Sequence, residues 1–450
     1  MLIRFTVSNF LSFKDETEFN MLTGDVKRHP HHVYKREHID VLRAAAIYGA
    51  NGAGKSNLIK AIAFLQSLAR GEDILGDLLN FKLLKEYKDK PSQLEIEIEF
   101  NRVVYAYGVC FNEHRIIEEW LYLVNFDKDD EIIFERKTDE SFKHQLKLAD
   151  KYLKSDKDKY FVEFYEKELI GSNKTFISSL KNFKYREIAD FRANIIGKLN
   201  IYSPNTRSYG LFSKIMYFND LEDSSDLLEF NKILRLFDTG VNRLKLSKRQ
   251  LSEEELEGKY KKEKEQFEDG IIGVPFLHEK KIEYIWKKHE DKVYSLIEVI
   301  TMHNDAEGQE IAFDLEEESD GTIKLLDFIN ILKNIRENET IFIIDEIDRS
   351  IHPSLLKTFI KLLMEMPTSK GQIIFTTHES NLLDLDIFRQ DEIWFAEKNK
   401  EGATEFYPLS EFKPRYDLDI RKGYLNGRFG AIPFLGDLEK LNWNHHAETE

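Results

Sequence analysis

Residues 49 to 56 have the types and spacing of a phosphate-binding loop. The segment Gly49-Ala50-Asn51-Gly52-Ala53-Gly54-Lys55-Ser56 matches the pattern G-x-x-x-x-G-K-[ST] at every position. Glycines let the backbone curl so that its N–H groups converge on phosphate oxygens, and a following helix adds its positive end. Lys55 is expected to neutralise the β- and γ-phosphates, and the Ser56 hydroxyl to ligate Mg²⁺. Asn57 is included in the predicted nucleotide site.

Two apolar runs later in the chain are each followed by polar residues. Asp345 and Glu346 come directly after the run Ile341–Ile344, and His378 follows the similar run Ile373–Thr377. Ligands of open α/β sheets bind at the carboxyl ends of the strands, so these side chains are expected at one edge. Asp345 would hold the Mg²⁺ shell, Glu346 would polarise the attacking water, and His378 would hydrogen-bond the γ-phosphate.

A second anion receptor is predicted at Ser319, Gly321 and Thr322, which open the helical run IKLLDFINIL. Serine and glycine at a helix start offer a hydroxyl and unobstructed N–H groups. A single protomer already has one phosphate loop, so it has no evident use for a second anion receptor in the same site. The receptor is explained if a second protomer supplies it to that site across an interface. The alternative is an ordinary helix cap with acidic residues in its first turn. The local spacing leaves both interpretations open.

The elements that must position these residues follow from hydrophobic periodicity. Apolar runs at 2–7 and 41–48 predict strands, and the second run stops at the phosphate loop, which is followed by the helical NLIKAIAFLQSLA. Residues 94–134 alternate as in an antiparallel meander, with a polar turn at Phe100-Asn101-Arg102. After Ile311 strands and helices alternate, which predicts a parallel sheet covered by helices. We expect an N-terminal lobe at 1–140, an inserted arm at 141–300 and a C-terminal lobe at 301–450.

The arm is predicted to be mainly helical. Its sequence between Ser141 and Lys292 is dense in Lys, Glu and aromatic residues, and its periodicity breaks at Gly171, Pro204 and Gly270. The arm contains basic residues interleaved with aromatic residues, namely Lys181, Phe183, Lys184, Tyr185, Arg186, Phe191, Arg192, Lys198 and Arg207. These could contact DNA, cover an acidic partner protein or form an ordinary solvated surface.

Composition narrows the class of protein. A chain of 450 residues with 42% hydrophobic and 32% charged residues is expected to be globular and to exceed one ordinary core. The net charge of −16 argues against a uniformly basic nucleic-acid-binding protein. Cys110 is the single cysteine, so no intrachain disulfide can form and a cytoplasmic location is expected. No stretch approaches the roughly 20 apolar residues of a membrane span, and none reads as a signal peptide.

Together these motifs and their order resemble the ABC ATPase superfamily, in the branch that contains the RecF, SMC and OLD proteins. The resemblance implies an α/β fold, with an ABC-type P-loop head, an antiparallel β meander and a large helical insertion. It implies that Gly49–Ser56 are Walker A, that Asp345 and Glu346 are Walker B and the catalytic glutamate, and that His378 is the switch histidine. Ser319, Gly321 and Thr322 fall at the signature loop, although ESDGT departs from the LSGGQ form. Gln93 is a candidate for the Q-loop glutamine.

Other segments carry the resemblance further. The opening IRFTVSNFLSF is similar to the start of such ATPases, and Asp348–Pro353 look like the D-x-x-x-H-P of OLD-type ATPases. The tail LDIRKGYLNGRFGAIPFL resembles ATPases of abortive-infection and anti-phage systems of the RloA, AbiL and PARIS kind. The resemblance implies a homo-oligomer, at least a head-to-tail dimer, that hydrolyses ATP and controls a separate effector protein. The resemblance implies that such an effector is often a nuclease, and because too few residues follow His378 for a nuclease domain, we expect another polypeptide encoded nearby to supply it.

Two other functions remain open from the sequence. A DNA-repair or chromosome-associated ATPase would contact DNA directly through the arm. A nucleotide-binding subunit of a transporter would need no membrane span of its own, but the opening segment and the unusual signature loop count against it.

Overall fold

A computed structural model describes residues 1–76, 79–169, 171–179, 185–204, 225–237, 239–258, 275–278, 281–287, 294–366 and 368–432. The chain divides into two compact units. Unit 1 comprises Met1–Ile201, Glu339–Ile347 and Gln372–Glu450, and unit 2 comprises Tyr202–Asn338 and Asp348–Gly371.

The described strands are, in chain order, β1 (Leu2–Ser8), β2 (Thr17–Asn20), β3 (Val33–Tyr34), β4 (Val41–Leu42), β5 (Ala44–Gly49), β6 (Ser92–Phe100), β7 (Val103–Phe111), β8 (Ile116–Leu123), β9 (Glu131–Thr138), β10 (His144–Leu148), β11 (Leu199–Tyr202), β12 (Val241–Gln250), β13 (Pro275–His278), β14 (Lys281–Lys287), β15 (Tyr294–Asn304), β16 (Glu310–Asp314), β17 (Ile341–Ile344), β18 (Gln372–Thr376), β19 (Ile393–Lys398) and β20 (Thr404–Pro408). The described α-helices are α1 (Lys55–Arg70), α2 (Asp156–Phe164), α3 (Phe176–Ser179), α4 (Arg186–Gly197), α5 (Ser225–Leu234), α6 (Glu253–Glu257), α7 (Asp320–Glu337), α8 (Pro353–Glu365) and α9 (Ile420–Leu425).

Unit 1 contains the predicted antiparallel meander. Its sheet has the order β10-β9-β8-β7-β6-β1-β2. In β6 every second side chain is buried, and Leu94, Ile96 and Ile98 join the main hydrophobic core. The turn between β6 and β7 places Asn101 and Arg102 at φ 52° and 65°, as a two-residue hairpin loop requires. The meander is confirmed, and it continues beyond residue 134 into β10.

The phosphate loop belongs to a second sheet, of order β11-β17-β18-β5-β19-β20. β17, β18, β5 and β19 run parallel, and β20 pairs antiparallel with β19. All residues of β5, β17 and β18 are buried, as expected for parallel strands covered on both faces. The predicted α/β fold with a parallel sheet is therefore confirmed, and the carboxyl ends of β5, β17 and β18 meet at one edge.

One buried glutamine joins the two large sheets of unit 1. The Gln372 side chain is 0% exposed; its Oε1 accepts a hydrogen bond from Leu2 N at 2.8 Å, and its Nε2 donates to Leu2 O at 3.1 Å and Leu42 O at 2.8 Å. The amide thus forms with Leu2 the paired bonds that another strand would form. It therefore ties β1, and also Leu42 of β4, to the start of β18.

The insertion is not only helical. Helices α2 to α6 lie within 141–300, but the same range holds strands, and unit 2 contains a sheet of order β12-β15-β14-β13 with β16 beside β15. In β12 Leu244 and Leu246 are buried among charged neighbours and pair with Thr301 and Val299 of β15. This pairing across about fifty residues overrides the helix preference of a Lys- and Glu-rich sequence. Gly270 lies outside the described residues.

The two long helices of unit 2 pack through aromatic side chains. Phe328 of α7 and Phe359 of α8 stack with ring centroids 4.2 Å apart. Among the helices that the structure describes, none combines the length and the apolar character needed to cross a lipid bilayer.

Candidate nucleotide-binding site

The phosphate loop connects the buried strand β5 to helix α1, which is the context that its motif predicts. Gly49 ends β5, and a Cβ atom there would lie 2.4 Å from the Ala396 carbonyl oxygen on β19. Gly54 precedes α1 with φ 107°, and a Cβ atom would lie 2.1 Å from Thr404 Oγ1. Both positions therefore require glycine. Asn51 and Gly52 are exposed at the tip of the loop, whereas Ala53 is buried.

Lys55 spans the loop that precedes it. Its Nζ donates to the carbonyl oxygens of Gly49, at 2.8 Å, and Ala50, at 3.2 Å, and the residue is only 5% exposed. The ammonium group is thus held within the curl of the backbone. A phosphate group there would exchange these neutral acceptors for charged ones, which form stronger hydrogen bonds.

Asp345 lies beside the first turn of α1, although 289 residues separate it from Ser56. Its Oδ1 accepts hydrogen bonds from Ser56 Oγ at 3.0 Å and from Thr376 Oγ1 at 2.6 Å. The carboxylate is 6% exposed. Hard oxygen donors that converge in this way suit Mg²⁺, so Ser56 and Asp345 fit the ion predicted for this site.

Glu346 has an uncommon backbone conformation. Its φ is 51°, a left-handed value that is costly for a residue with a Cβ atom. Its N–H donates to Thr376 Oγ1 at 2.7 Å, and the Ile347 N–H donates to the Thr376 carbonyl oxygen at 3.0 Å. One threonine on β18 therefore fixes both acidic residues at the end of β17. Although Thr376 lies within the IIFTTH run, nothing in the sequence indicated this role.

Thr376→Val is expected to lower the rate of ATP hydrolysis by about 10- to 100-fold. Valine keeps the shape of the side chain but removes a hydrogen bond to a carboxylate, worth about 1.5–3 kcal/mol, and the acceptor for Glu346 N. Thr376→Ser keeps the hydroxyl and should stay near the wild-type rate. Steady-state phosphate release measures the effect, with thermal unfolding as the check on folding. Equal rates for the two variants would contradict the role of Thr376.

His378 lies two residues beyond the end of β18, at the same edge of the sheet, and is exposed. The chain before it is anchored because Thr377 N donates to the Ile47 carbonyl oxygen at 3.1 Å. The structure thus brings the ends of three parallel strands together at the phosphate loop.

The predicted second anion receptor lies in unit 2. Ser319 is the N-cap of α7, where its Oγ accepts from Thr322 N at 3.1 Å and lies 3.0 Å from Thr322 Oγ1. A Cβ atom on Gly321 would lie 2.9 Å from the Ser350 carbonyl oxygen. Ser319 is exposed, whereas Thr322 is buried. This geometry is that of a helix cap on an exposed residue.

A polar cluster supports the other side of the phosphate loop. Asn57 Nδ2 donates to Ser12 Oγ at 2.7 Å, and Thr404 Oγ1 lies 2.8 Å from Ser12 Oγ and 2.9 Å from the Ala53 carbonyl oxygen. Lys398 Nζ donates to Thr404 Oγ1 at 3.0 Å. A cavity of about 290 Å³ opens beside the cluster, lined by residues that include Leu11, Ser12, Asn57, Phe81, Lys82 and Lys398. No motif or pattern in the sequence indicated that Thr404 contacts the phosphate loop. Gln93, the Q-loop candidate, is part of strand β6.

The basic and aromatic residues of the arm are only partly described. Phe191 is 0% and Tyr185 3% exposed, so these two rings pack in the core of unit 1 and are not free to stack on bases. Arg192 donates to the Ala69 carbonyl oxygen at 3.0 Å, and Lys198 pairs with Glu339 at 3.7 Å. Arg186 forms an ion pair with Asp190. Four further residues of the set lie outside the described residues, namely Lys181, Phe183, Lys184 and Arg207.

Similar solved structures include SMC head domains. The Smc head with an extended coiled coil bound to the C-terminal domain of ScpA, from Pyrococcus furiosus, is 14% identical, with a TM-score of 0.43 over 92% of this chain and 97% of that one. The SMC head domain from Thermotoga maritima is 11% identical, with a TM-score of 0.36 over 90% and 98%. These low values describe a distant resemblance of backbones. No curated protein sequence matches the chain.

A protein-family model gives the specific match. The model for AbiEii toxin-type AAA domains, of the Type IV TA system, matches residues 44–384. The match begins at β5 and spans the phosphate loop, the acidic end of β17 and His378. Because it covers most of the chain, the protein belongs to the family of AbiEii toxin-type AAA domains and is an ATPase of that type.

Proposed function

We propose that this chain binds Mg²⁺·ATP at the edge formed by β5, β17 and β18 and hydrolyses it there. The observation that carries the proposal is the contact between Ser56 Oγ and Asp345 Oδ1, at 3.0 Å, next to the Lys55 ammonium group and its loop. Two distant segments thereby present a cation-binding pair beside a phosphate receptor.

Each residue has a role that follows from its position. The N–H groups of residues 49–57 would hold the phosphates, and Lys55 would neutralise the β- and γ-phosphates. Mg²⁺, held by Ser56 and Asp345, would neutralise charge on the phosphate oxygens. Glu346 would orient and polarise the water, and His378 would hydrogen-bond the γ-phosphate. The cavity beside Ser12 is of a size to receive part of the nucleoside.

A second copy of the chain would complete this site. Ser319, Gly321 and Thr322 form the start of α7, at which Ser319 is exposed, and α7 is an 18-residue helix whose positive end favours anions. Within one copy the loop at residues 49–56 already binds the phosphates, so the start of α7 has no evident use there. ATP would then favour the closed head-to-tail pair, because it contacts both copies only in that state.

The biological role we propose is a cytoplasmic sensor in a bacterial anti-phage system, whose nucleotide state controls a separate effector such as a nuclease. The family description, with its AbiEii toxin and type IV toxin–antitoxin terms, supports a role in abortive infection. A role as a DNA-repair ATPase has less support, because Tyr185 and Phe191 are buried.

Phage challenge tests this role. Cells that carry this gene with its chromosomal neighbours are expected to form fewer plaques than cells without them. Asp345→Asn removes the anionic ligand at the site and should abolish the protection, whereas Asp417→Asn, at an exposed position, should retain it. Co-purification of a neighbouring nuclease would identify the effector. Full protection by the Asp345→Asn variant would exclude control by nucleotide.

A further inference from the structure

Three histidines from one short segment lie together in unit 1, and the nucleotide site does not use them. His29, His31 and His32 bring one ring nitrogen each to within 4.8 Å of one another. The rings of His31 and His32 meet edge to face with centroids 4.4 Å apart, and those of His29 and His32 stack at 4.8 Å. His32 is buried, His29 is half-buried and His31 is exposed.

Hydrogen-bond partners on the other ring nitrogen orient the rings of His29 and His32. His29 Nε2 lies 2.8 Å from the Leu385 carbonyl oxygen. A carbonyl oxygen only accepts, so Nε2 carries the proton and Nδ1 keeps its lone pair. His32 Nδ1 lies 3.0 Å from Glu392 Oε2, which leaves His32 Nε2 as the second lone pair. Metal-ligating histidines are usually held in this way, by a carboxylate or a backbone carbonyl on the other ring nitrogen.

The carboxyl group of Glu392, which contacts His32, is buried and only partly hydrogen-bonded. Its side chain is 0% exposed; Oε2 accepts the Arg389 N–H at 2.7 Å, but Oε1 has no hydrogen-bond partner among the residues that the structure describes. A cation on His32 would compensate the buried carboxylate.

We propose that His29, His31 and His32 bind one divalent transition-metal ion that prefers imidazole ligands, such as Zn²⁺, with Glu392 and the Leu385 carbonyl oxygen holding two of the rings in place. Zinc–nitrogen bonds of about 2.0–2.1 Å place tetrahedral ligand atoms about 3.3 Å apart, so the stacked rings of His29 and His32 rotate to converge. Three protein nitrogens leave a fourth position for water, on the side of the exposed His31.

The ion would reinforce an existing junction between two segments of unit 1. Gly24 N donates to Asp391 Oδ2 at 2.8 Å, and Arg28 Nη2 donates to Asp386 Oδ1 at 2.7 Å. The second of these segments leads into β19, whose first residue, Ile393, pairs with Ala46 of β5. The site therefore fixes the strand next to the one that carries the phosphate loop.

Metal titration of the untagged full chain tests the proposal. Excess Mg²⁺ is included to saturate sites with oxygen ligands. Under this condition one Co²⁺ ion is expected to bind per chain and to show the visible absorption of a tetrahedral site. Zn²⁺ is then expected to displace the Co²⁺. His31→Ala removes an exposed ligand without disturbing the core and should weaken Zn²⁺ binding by at least tenfold. Glu392→Gln should weaken it by about 10- to 100-fold, as is usual for the partners of metal-ligating histidines.

His114→Ala is the matched control, because this imidazole is 66% exposed and belongs to a different part of unit 1. The affinity of the His114→Ala variant for Zn²⁺ should equal that of the wild type. Zn²⁺ should also raise the melting temperature of the wild type more than that of His31→Ala. Equal Zn²⁺ affinities for wild type and His31→Ala, or binding at less than one ion per chain, would overturn the proposal. Neither measurement requires nucleotide, so both are independent of the proposed ATPase site.

Discussion

Glu346→Gln is expected to retain ATP binding and to lower the rate of hydrolysis by about 10²–10⁴-fold, the usual contribution of a general base. The glutamine keeps the size of the side chain and the backbone N–H that bonds to Thr376 Oγ1 at 2.7 Å, but it cannot take a proton from water. Ser56, Asp345 and Lys55 are unchanged, so the affinity for Mg²⁺·ATP should stay within a few-fold of wild type. Phosphate release and the fluorescence of a bound ATP analogue measure the two properties separately.

The same variant tests assembly. Because ATP persists in Glu346→Gln, we expect Mg²⁺·ATP to shift this protein from monomer to dimer in sedimentation velocity. Adding Ser319→Arg should prevent the shift, because the larger side chain fills the start of α7 that would contact the partner's nucleotide. Glu365→Gln, an exposed position at the end of α8, is the control and should hydrolyse ATP normally. Normal hydrolysis by Glu346→Gln would remove Glu346 from the mechanism.

Lys55→Ala is expected to weaken ATP binding by about 10²-fold and to abolish measurable hydrolysis. The lost charge-assisted hydrogen bonds to phosphate contribute about 1.5–3 kcal/mol, and each 1.4 kcal/mol is a factor of ten in affinity. The variant also leaves the Gly49 and Ala50 carbonyl oxygens without the donor that now lies 2.8 and 3.2 Å away, so the loop itself should loosen. Calorimetric titration with a non-hydrolysable ATP analogue measures the affinity.

Lys60→Ala is the matched control for this experiment. Lys60 lies on the same helix, α1, but is exposed, so its replacement should change neither binding nor hydrolysis. Circular dichroism should show that both variants are folded. An affinity of Lys55→Ala equal to that of Lys60→Ala would show that nucleotides bind elsewhere.

The strand, loop and helix around the phosphate site could be predicted because their signals are local. An eight-residue motif fixes the loop, and continuous apolar runs fix β17 and β18. The rule that parallel strands end at one edge then places Asp345 near Ser56, and the structure finds the two in contact. The roles assigned to individual residues, including those at Ser319, remain predictions.

What the sequence could not provide are contacts between distant segments that carry no motif. Thr404 reaches Ser12 across 392 residues, and no local pattern distinguishes it from other threonines. The sheet in the insertion was missed because Lys- and Glu-rich strands resemble helices until their partners are known. The histidine cluster depends on Glu392, which lies 360 residues from His32.

The amide of Gln372 has a consequence for how unit 1 denatures. If β1 pulled away from β18, the two buried hydrogen bonds between the Leu2 backbone and the Gln372 amide would be lost together. Partial opening between the two large sheets therefore costs these hydrogen bonds in addition to the packing between them. The layer that carries the phosphate loop and the meander should melt in a single cooperative transition, with slow amide hydrogen exchange at Leu2 and throughout β18.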